Sequence, residues 1–480
     1  LLHIGSYLAA HGFEIEIIDT HIERDYQKRI ETQLANNEYV FVGMSVIIGK
    51  FMKNAAELTK MVRSIKDVPI VWGGIMASIE PEACLQTYHP DYIVRFEGEK
   101  TALELALAIL NNSGVEHIQG ISYMRDGKLI SNAPRMPKRY LDEYPIPDWE
   151  LFGTAFNKEQ IPYYYVIMSS RGCPFNCNFC YKHSIDPELQ AKMPAWRRRS
   201  SQHVIKELEY VHQKTGTRVF TFGDDNFMVD KKRAMEIFNY CRQNGFYIEE
   251  CIGHLNCLDD DLIDSMAGIV QTLMFSIESA SQRLQQYIQK KLDLESVPSK
   301  VNKLYEHGVA ATIAFIIGLP TEADEDLRKN VELMLQLKEL HPFARARAYL
   351  YLPLPKTKLY KIVEETYHLK LPTDIRAWEE ANLWVDDIDD PVGNKFRPWL
   401  SKERFQFLIH YGMVFGELFK VNNSKRDPVI QQILERELTI KKMFQGTEQV
   451  NHPKTDYIPY VLDKALAGEK IDLINGLKGK

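Results

Sequence analysis

The chain has 480 residues, 45% hydrophobic and 26% charged, with a formal net charge of -6. That length asks for two or three domains, the composition is that of a globular protein, and the acidic balance argues against general nucleic-acid binding. No apolar run is long enough to cross a bilayer, and seven cysteines, three of them clustered, fit a reducing, cytoplasmic compartment better than a disulfide scaffold.

Residues 1–120 alternate helical and strand patterns. The predicted elements are a helix over 1–11 stopped at Gly12, strands over 13–18 and 39–46, and a helix through Ala55, Leu58, Met61 and Val62. Short strands over 69–72 and 92–95 follow, then a helix over 101–110. Strands alternating with helices predict an α/β fold with a doubly wound parallel sheet, which binds ligands beyond the carboxyl ends of its strands. Glycines fall at those ends: Gly43, Gly49, Gly73, Gly74 and Gly98. Glycine there lets a backbone approach a bulky ligand.

The segments Gly43-Met44-Ser45-Val46, Trp72-Gly73-Gly74-Ile75-Met76-Ala77-Ser78 and Arg95-Phe96-Glu97-Gly98-Glu99 resemble the cobalamin-binding domain of B12-dependent radical SAM enzymes. The resemblance implies that Ser45, Gly73, Gly74 and Gly98 line the slot for the nucleotide tail of cobalamin. The family usually has glycine where Phe96 stands. Its first strand, which lies inside the sheet, has no counterpart here, so the gene is expected to encode further residues before Leu1. Asp19-Thr20-His21 begins the motif that gives cobalt a histidine in some B12 proteins, but Arg24 replaces the motif's glycine. His21 is therefore read as a surface residue and the cobalt as free of a histidine from this domain. A flavodoxin-like domain that binds nothing is the plainer alternative.

Residues 121–160 read as a linker, dense in proline at Pro134, Pro137, Pro145 and Pro147. Residues 161–360 alternate again, with strands over 163–168, 218–222, 247–252, 272–277, 311–317 and 345–352. One intervening helix runs from a cap at Ser201 through Val204, Leu208 and Val211 to Gly216. Six β/α units predict a partial TIM-like barrel with its active site at the strand carboxyl ends.

After the first of these strands come Cys173, Cys177 and Cys180, spaced C-x3-C-x2-C. Three thiolates on one short loop can hold three irons of a [4Fe–4S] cluster and leave the fourth open. Zinc is the plainer reading, with His183 as a fourth ligand, but zinc sites usually take two pairs of ligands. The loop is identified as the signature of the radical SAM superfamily. The resemblance implies that the open iron chelates S-adenosylmethionine, which the reduced cluster cleaves to methionine and a 5′-deoxyadenosyl radical.

The later strand ends resemble the family's cosubstrate contacts in the expected order. Asp224 and Asp225 match the segment that meets the methionine amino group. Glu278 and Ser279 match the segment at the methionyl or ribose part, and Gly318 the turn beside the adenine. Lys356 stands where the family usually has glycine. His254, in Cys251-Ile252-Gly253-His254-Leu255-Asn256-Cys257, is read as an ordinary hydrogen-bonded histidine, against the alternatives of a proton donor or acceptor at the barrel mouth and of a second metal site. Trp196-Arg197-Arg198-Arg199-Ser200 is read as a solvated, ion-paired run. Residues 361–480 look mostly helical and carry no assignable motif.

The resemblance implies a B12-dependent radical SAM enzyme that methylates an unactivated carbon of a small molecule. It implies an external electron donor such as flavodoxin or ferredoxin. One rival is a non-methylating member, such as an oxidative cyclase acting on a tetrapyrrole. Another is an Fe–S electron carrier or redox-responsive binding protein, which would want four cysteine ligands and no polar barrel mouth. Neither the substrate nor a catalytic side chain is legible.

Overall fold

The computed structural model describes residues 1–20, 23–156, 165–184, 187–369, 375–379 and 396–418. The predicted alternation gives two sheets. In the first, β1 (Val42–Ser45), β2 (Ile70–Gly73) and β3 (Tyr92–Val94) run parallel. A hairpin of β4 (Ile121–Arg125) and β5 (Lys128–Ser131) continues the sheet antiparallel beyond β3. The first sheet therefore reaches past residue 120 into the segment read as linker. Its turn is Asp126-Gly127, with φ of 51° and 72° at the two residues. Asp-Gly between alternating strands is a strong hairpin signal, and the prolines that follow, from Pro134 on, masked it.

Two further differences have physical causes. Residues 13–18 form no strand, and among the described residues they have no sheet neighbour to complete a ladder; the Ile17 N–H donates instead to the Leu151 carbonyl at 3.1 Å. The helix Tyr26–Asn36 was not read because it buries only Leu34. A helix so polar carries little periodic signal.

The second sheet holds β6 (Tyr165–Ile167), β9 (Val219–Phe222), β10 (Tyr247–Gly253), β11 (Val270–Glu278), β12 (Ala310–Ile317) and β13 (Arg345–Leu350), side by side in that order and all parallel. It is the predicted six-stranded partial barrel. A two-stranded ribbon, β7 (Ser170–Gly172) with β8 (Trp196–Arg198), lies between β6 and β9 in the chain. Helix Ser201–Thr215 is capped by Ser200, not Ser201: the Ser200 hydroxyl accepts the His203 N–H at 3.1 Å. Helix Lys402–Leu418 packs on the open edge at β13, where Leu408, Tyr411 and Phe415 join the barrel core. Phe415 meets Phe315 edge-on at 5.2 Å. Residues 419–480 lie outside the described residues.

The turn after β12 gives a pH-dependent prediction. Glu322 Oε2 accepts the Gly318 N–H at 2.7 Å, and burial pushes its carboxyl up to about 8 from 4.5. Between those values the unfolded chain has released this proton while the native chain keeps it. Stability is therefore lost as pH rises, at a slope of about 1.4 kcal/mol per pH unit from this group. Glu322→Gln retains an acceptor for Gly318 without the ionisation. Its unfolding free energy, from denaturant titration of the cluster-free protein, is expected to lack that slope and to exceed wild type near pH 8.

Candidate active site

Gly172 sets the entry to the cysteine loop. It has φ 81°, and a Cβ there would lie 2.4 Å from the Ala195 carbonyl oxygen, so a side chain is excluded. The loop is then tied down along its length. The Asn178 N–H donates to the Ile288 carbonyl at 3.0 Å and its side chain to the Tyr287 carbonyl at 2.8 Å. Lys182 Nζ donates to the Cys173 carbonyl at 2.7 Å. The Phe175 ring lies flat on His254, with centroids 3.7 Å apart.

All three thiols are free, with Cys177 buried and the other two half-buried. Burial pushes Cys177 up, and the Cys173 charge adds to it; burial pushes Cys180 up to about 12, with Cys177 adding. The sulfurs are thus close enough to oppose one another's ionisation. Among the described residues, no three His, Cys, Asp or Glu side chains converge on the position of a single ion.

The strand ends around this loop sort the predicted residues into two groups. Asp225 is exposed and faces the loop: it accepts from the Gly172 N–H at 3.1 Å and the Tyr181 hydroxyl at 2.9 Å. Glu278 ends β11 with φ 65° and pairs with Lys290 at 3.1 Å. Glu278 and Lys290 are 6% and 7% exposed, and Cys177 feels both charges. These residues come together. Asp224 does not join them. It is buried and accepts the Ser169 N–H at 2.6 Å and the hydroxyls of Ser169 and Ser170 at 2.5 and 2.6 Å. It braces the end of β6 from behind. Ser279 is also buried and accepts the Ser281 N–H. Gly318 meets leucine side chains, with Leu350 Cδ1 3.0 Å from its Cβ position.

Lys290 was missed. In sequence it is one of two adjacent lysines, and nothing local separates the buried Lys290 from the exposed Lys291. The basic run is ion-paired as read, and Arg198 is exposed beside Asp230, but Arg197 and Arg199 are buried rather than solvated, paired with Glu97 and Glu207 respectively.

The first domain joins the barrel at the carboxyl ends of both sheets. Arg171, two residues before Cys173, binds Glu97 at 2.8 Å and Glu99 at 2.5 Å, just beyond β3. Lys356, just beyond β13, donates to the Ile79 carbonyl and lies 3.8 Å from Glu80. Phe96 and Lys356 have φ of 61° and 65°, so both places where the family's glycine is replaced sit in the left-handed region that favours glycine. Segment Ile375–Glu379 covers the first domain: the Gly49 N–H donates to the Trp378 carbonyl at 2.8 Å.

Among the predicted cobalamin contacts, Ser45 is exposed at the end of β1 and pairs in register with Gly73. Gly74 has φ 89°, and its Cβ would lie 2.6 Å from the Val46 oxygen, so this glycine serves a close backbone approach. A Cβ on Gly98 would meet Val94 and Ile4 at 2.9 and 3.0 Å, so Gly98 is packed against its own domain. Beyond Ser45, Ile47 and Phe51 are each 42% exposed. Apolar side chains left open at strand carboxyl ends suit the face of a large flat cofactor. His21 lies outside the described residues.

Comparison with known proteins agrees with this geometry. The Radical SAM superfamily profile matches residues 167–334, and the B12 binding domain profile matches residues 1–106. An uncharacterized methyltransferase of Pyrococcus horikoshii is 32% identical over 315 residues, covering 65% of this chain and 66% of that protein. The chain thus spans about two thirds of that relative's length. An anaerobic magnesium-protoporphyrin IX monomethyl ester cyclase of Synechocystis sp. is 24% identical, covering 79% of this chain and 75% of that one. The cobalamin-dependent S-adenosylmethionine radical enzyme OxsB with aqua-cobalamin bound shares the fold, with a TM-score of 0.69 at 16% identity over all of this chain and 81% of that one. The cofactors are a [4Fe–4S] cluster, S-adenosylmethionine and cobalamin. The chain is a B12-dependent radical SAM enzyme, its cobalamin-binding domain set against the mouth of a cluster-binding partial barrel.

Proposed function

We propose that the protein methylates an unactivated carbon of a small molecule. The observation that carries this reading is the ion-paired joint that brings the carboxyl ends of both sheets to the cysteine loop. A methyl group and a carbon radical can meet only if both cofactor sites open on one space. The methyltransferase from Pyrococcus horikoshii supports the reaction class. The extensive match to the cyclase makes a non-methylating oxidative reaction the second reading.

Cys173, Cys177 and Cys180 would hold the cluster. When bound, the cofactors supply reductive cleavage of S-adenosylmethionine and carriage of its methyl group. The chain's own residues position and shield. Asp225 offers carboxylate oxygens to the cosubstrate ammonium. Lys290 spends one N–H on Glu278 and keeps the others for the cosubstrate carboxylate. The buried Asp224 holds the two serines before the loop in place. An external electron donor such as flavodoxin or ferredoxin reduces the cluster, and the reaction takes place in the cytoplasm.

The test is isotope transfer. Reduced, fully loaded enzyme is incubated with S-adenosylmethionine carrying a trideuterated methyl group and a metabolite extract. A product heavier by one labelled methyl group is expected. Consumption of a metabolite with no labelled product would favour the oxidative reading.

A second prediction concerns cobalt. With Ile47 and Phe51 open just beyond β1 and no complete histidine motif, bound cob(II)alamin should show no nitrogen splitting in its EPR spectrum. His21→Ala should leave cobalamin affinity unchanged. Nitrogen splitting that is lost in that variant would contradict the first statement, and a large loss of affinity the second.

A further inference from the structure

His254 has no role in the activity described, and its surroundings are specific. It follows β10, is 7% exposed, and stacks on Phe175 with ring planes 13° apart. Phe175 lies between Cys173 and Cys177, so the imidazole lies against the wall of the cluster loop itself. Its Nδ1 accepts the Asn256 N–H at 3.2 Å, and the His254 backbone N–H donates to Asn226 Oδ1 at 3.3 Å. An Nδ1 that accepts cannot carry the proton, so in the neutral ring the proton sits on Nε2. Nε2 is buried and has no hydrogen-bond partner among the described residues. Buried donors are rarely left unpaired, because nothing then offsets the loss of their hydrogen bonds to water.

Lysines 290 and 300 lie close enough to act electrostatically on the ring, so the surroundings favour an anionic acceptor. The anionic atoms due at this loop are the sulfurs of the cluster. We propose that His254 donates its Nε2–H to a sulfur of the [4Fe–4S] cluster and thereby raises the cluster's reduction potential. Hydrogen bonds to cluster sulfurs are one of the factors that set such potentials. The bond strengthens as the reduced cluster gains negative charge, so it favours the reduced form needed for cosubstrate cleavage. The proposal rests on the cluster assignment, which the cysteine variants test separately.

The experiment is a redox titration of reconstituted holoenzyme, read by EPR without S-adenosylmethionine, so that contact with the cosubstrate cannot register. His254→Phe keeps a ring on Phe175 and loses the donor; His254→Gln keeps an N–H. With full iron content, His254→Phe should show a reduced-to-oxidised ratio about tenfold lower at a given potential, a shift of about 59 mV for one electron. His254→Gln should recover part of it. An unchanged potential in His254→Phe would overturn the proposal and leave the histidine a packing role only. Should His254→Phe fail to load a cluster, ¹⁵N-histidine-labelled protein decides, in a His183→Phe background that removes the histidine three residues after Cys180. Pulsed EPR should then detect a histidine nitrogen coupled to the reduced cluster, and absence of that coupling refutes the bond.

Discussion

Cys177→Ala is expected to lose reductive cleavage of S-adenosylmethionine completely, falling to the background of cluster-free protein. Cys177 is the most buried of the three loop thiols and lies nearest in sequence to the anchor at Asn178. Removing an outer-shell partner of a metal site typically costs about 10–100-fold; removing a ligand from a cluster that has only three should cost more. Iron content should fall with activity, and Cys173→Ala and Cys180→Ala should behave alike. Cys84→Ala and Cys241→Ala are the controls. Both thiols are fully buried among apolar neighbours, and burial pushes both up to about 12. They should cleave at wild-type rates. Cleavage retained in Cys177→Ala would remove the cluster from this loop.

Arg171→Ala is expected to separate the two halves of the reaction. The guanidinium binds Glu97 and Glu99 beyond β3 and lies 5.2 Å above the Tyr144 ring. Burial alone would push the Glu99 carboxyl up, but Arg171 overrides it and holds it below its ordinary value. That contribution is present above the unfolded carboxylate range and is lost as pH falls through the lowered native value. Without Arg171 the buried Glu99 has lost its counter-charge, which costs about 3–5 kcal/mol where a buried pair is broken from one side. Denaturant unfolding should register that loss. The variant should still produce 5′-deoxyadenosine, since Arg171 is no cluster ligand, while labelled methyl product falls steeply. Equal loss of both products would mean that the joint supports only the fold.

What the sequence disclosed follows from the range of each interaction. The cysteine loop was legible because its chemistry is written in eight consecutive residues. The barrel strands were legible because strands buried on both faces carry long apolar runs, as in Phe315-Ile316-Ile317. Asp225 and Glu278, which lie beside the cysteine loop, could be placed there from their position just after a strand. Asp224 and Gly318 were indistinguishable from such contacts in sequence, because burial decides whether a carboxylate meets a ligand or braces a loop. Lys290, the grip of Arg171 on Glu97 and Glu99, and the reach of Lys356 to Ile79 depend on residues tens to hundreds of positions apart. The helix Tyr26–Asn36 was hidden because it buries so little.

The central claim, a barrel that cleaves S-adenosylmethionine reductively beside a domain that carries its methyl group, is tested most directly by quantifying both nucleoside products in one quench. Reconstituted enzyme is incubated anaerobically with cobalamin, reductant and S-adenosylmethionine. Both 5′-deoxyadenosine and S-adenosylhomocysteine should form. The first should vanish in Cys177→Ala, and the second when cobalamin is omitted. Formation of 5′-deoxyadenosine without any cobalamin-dependent S-adenosylhomocysteine would contradict methylation, and absence of both would contradict the account as a whole.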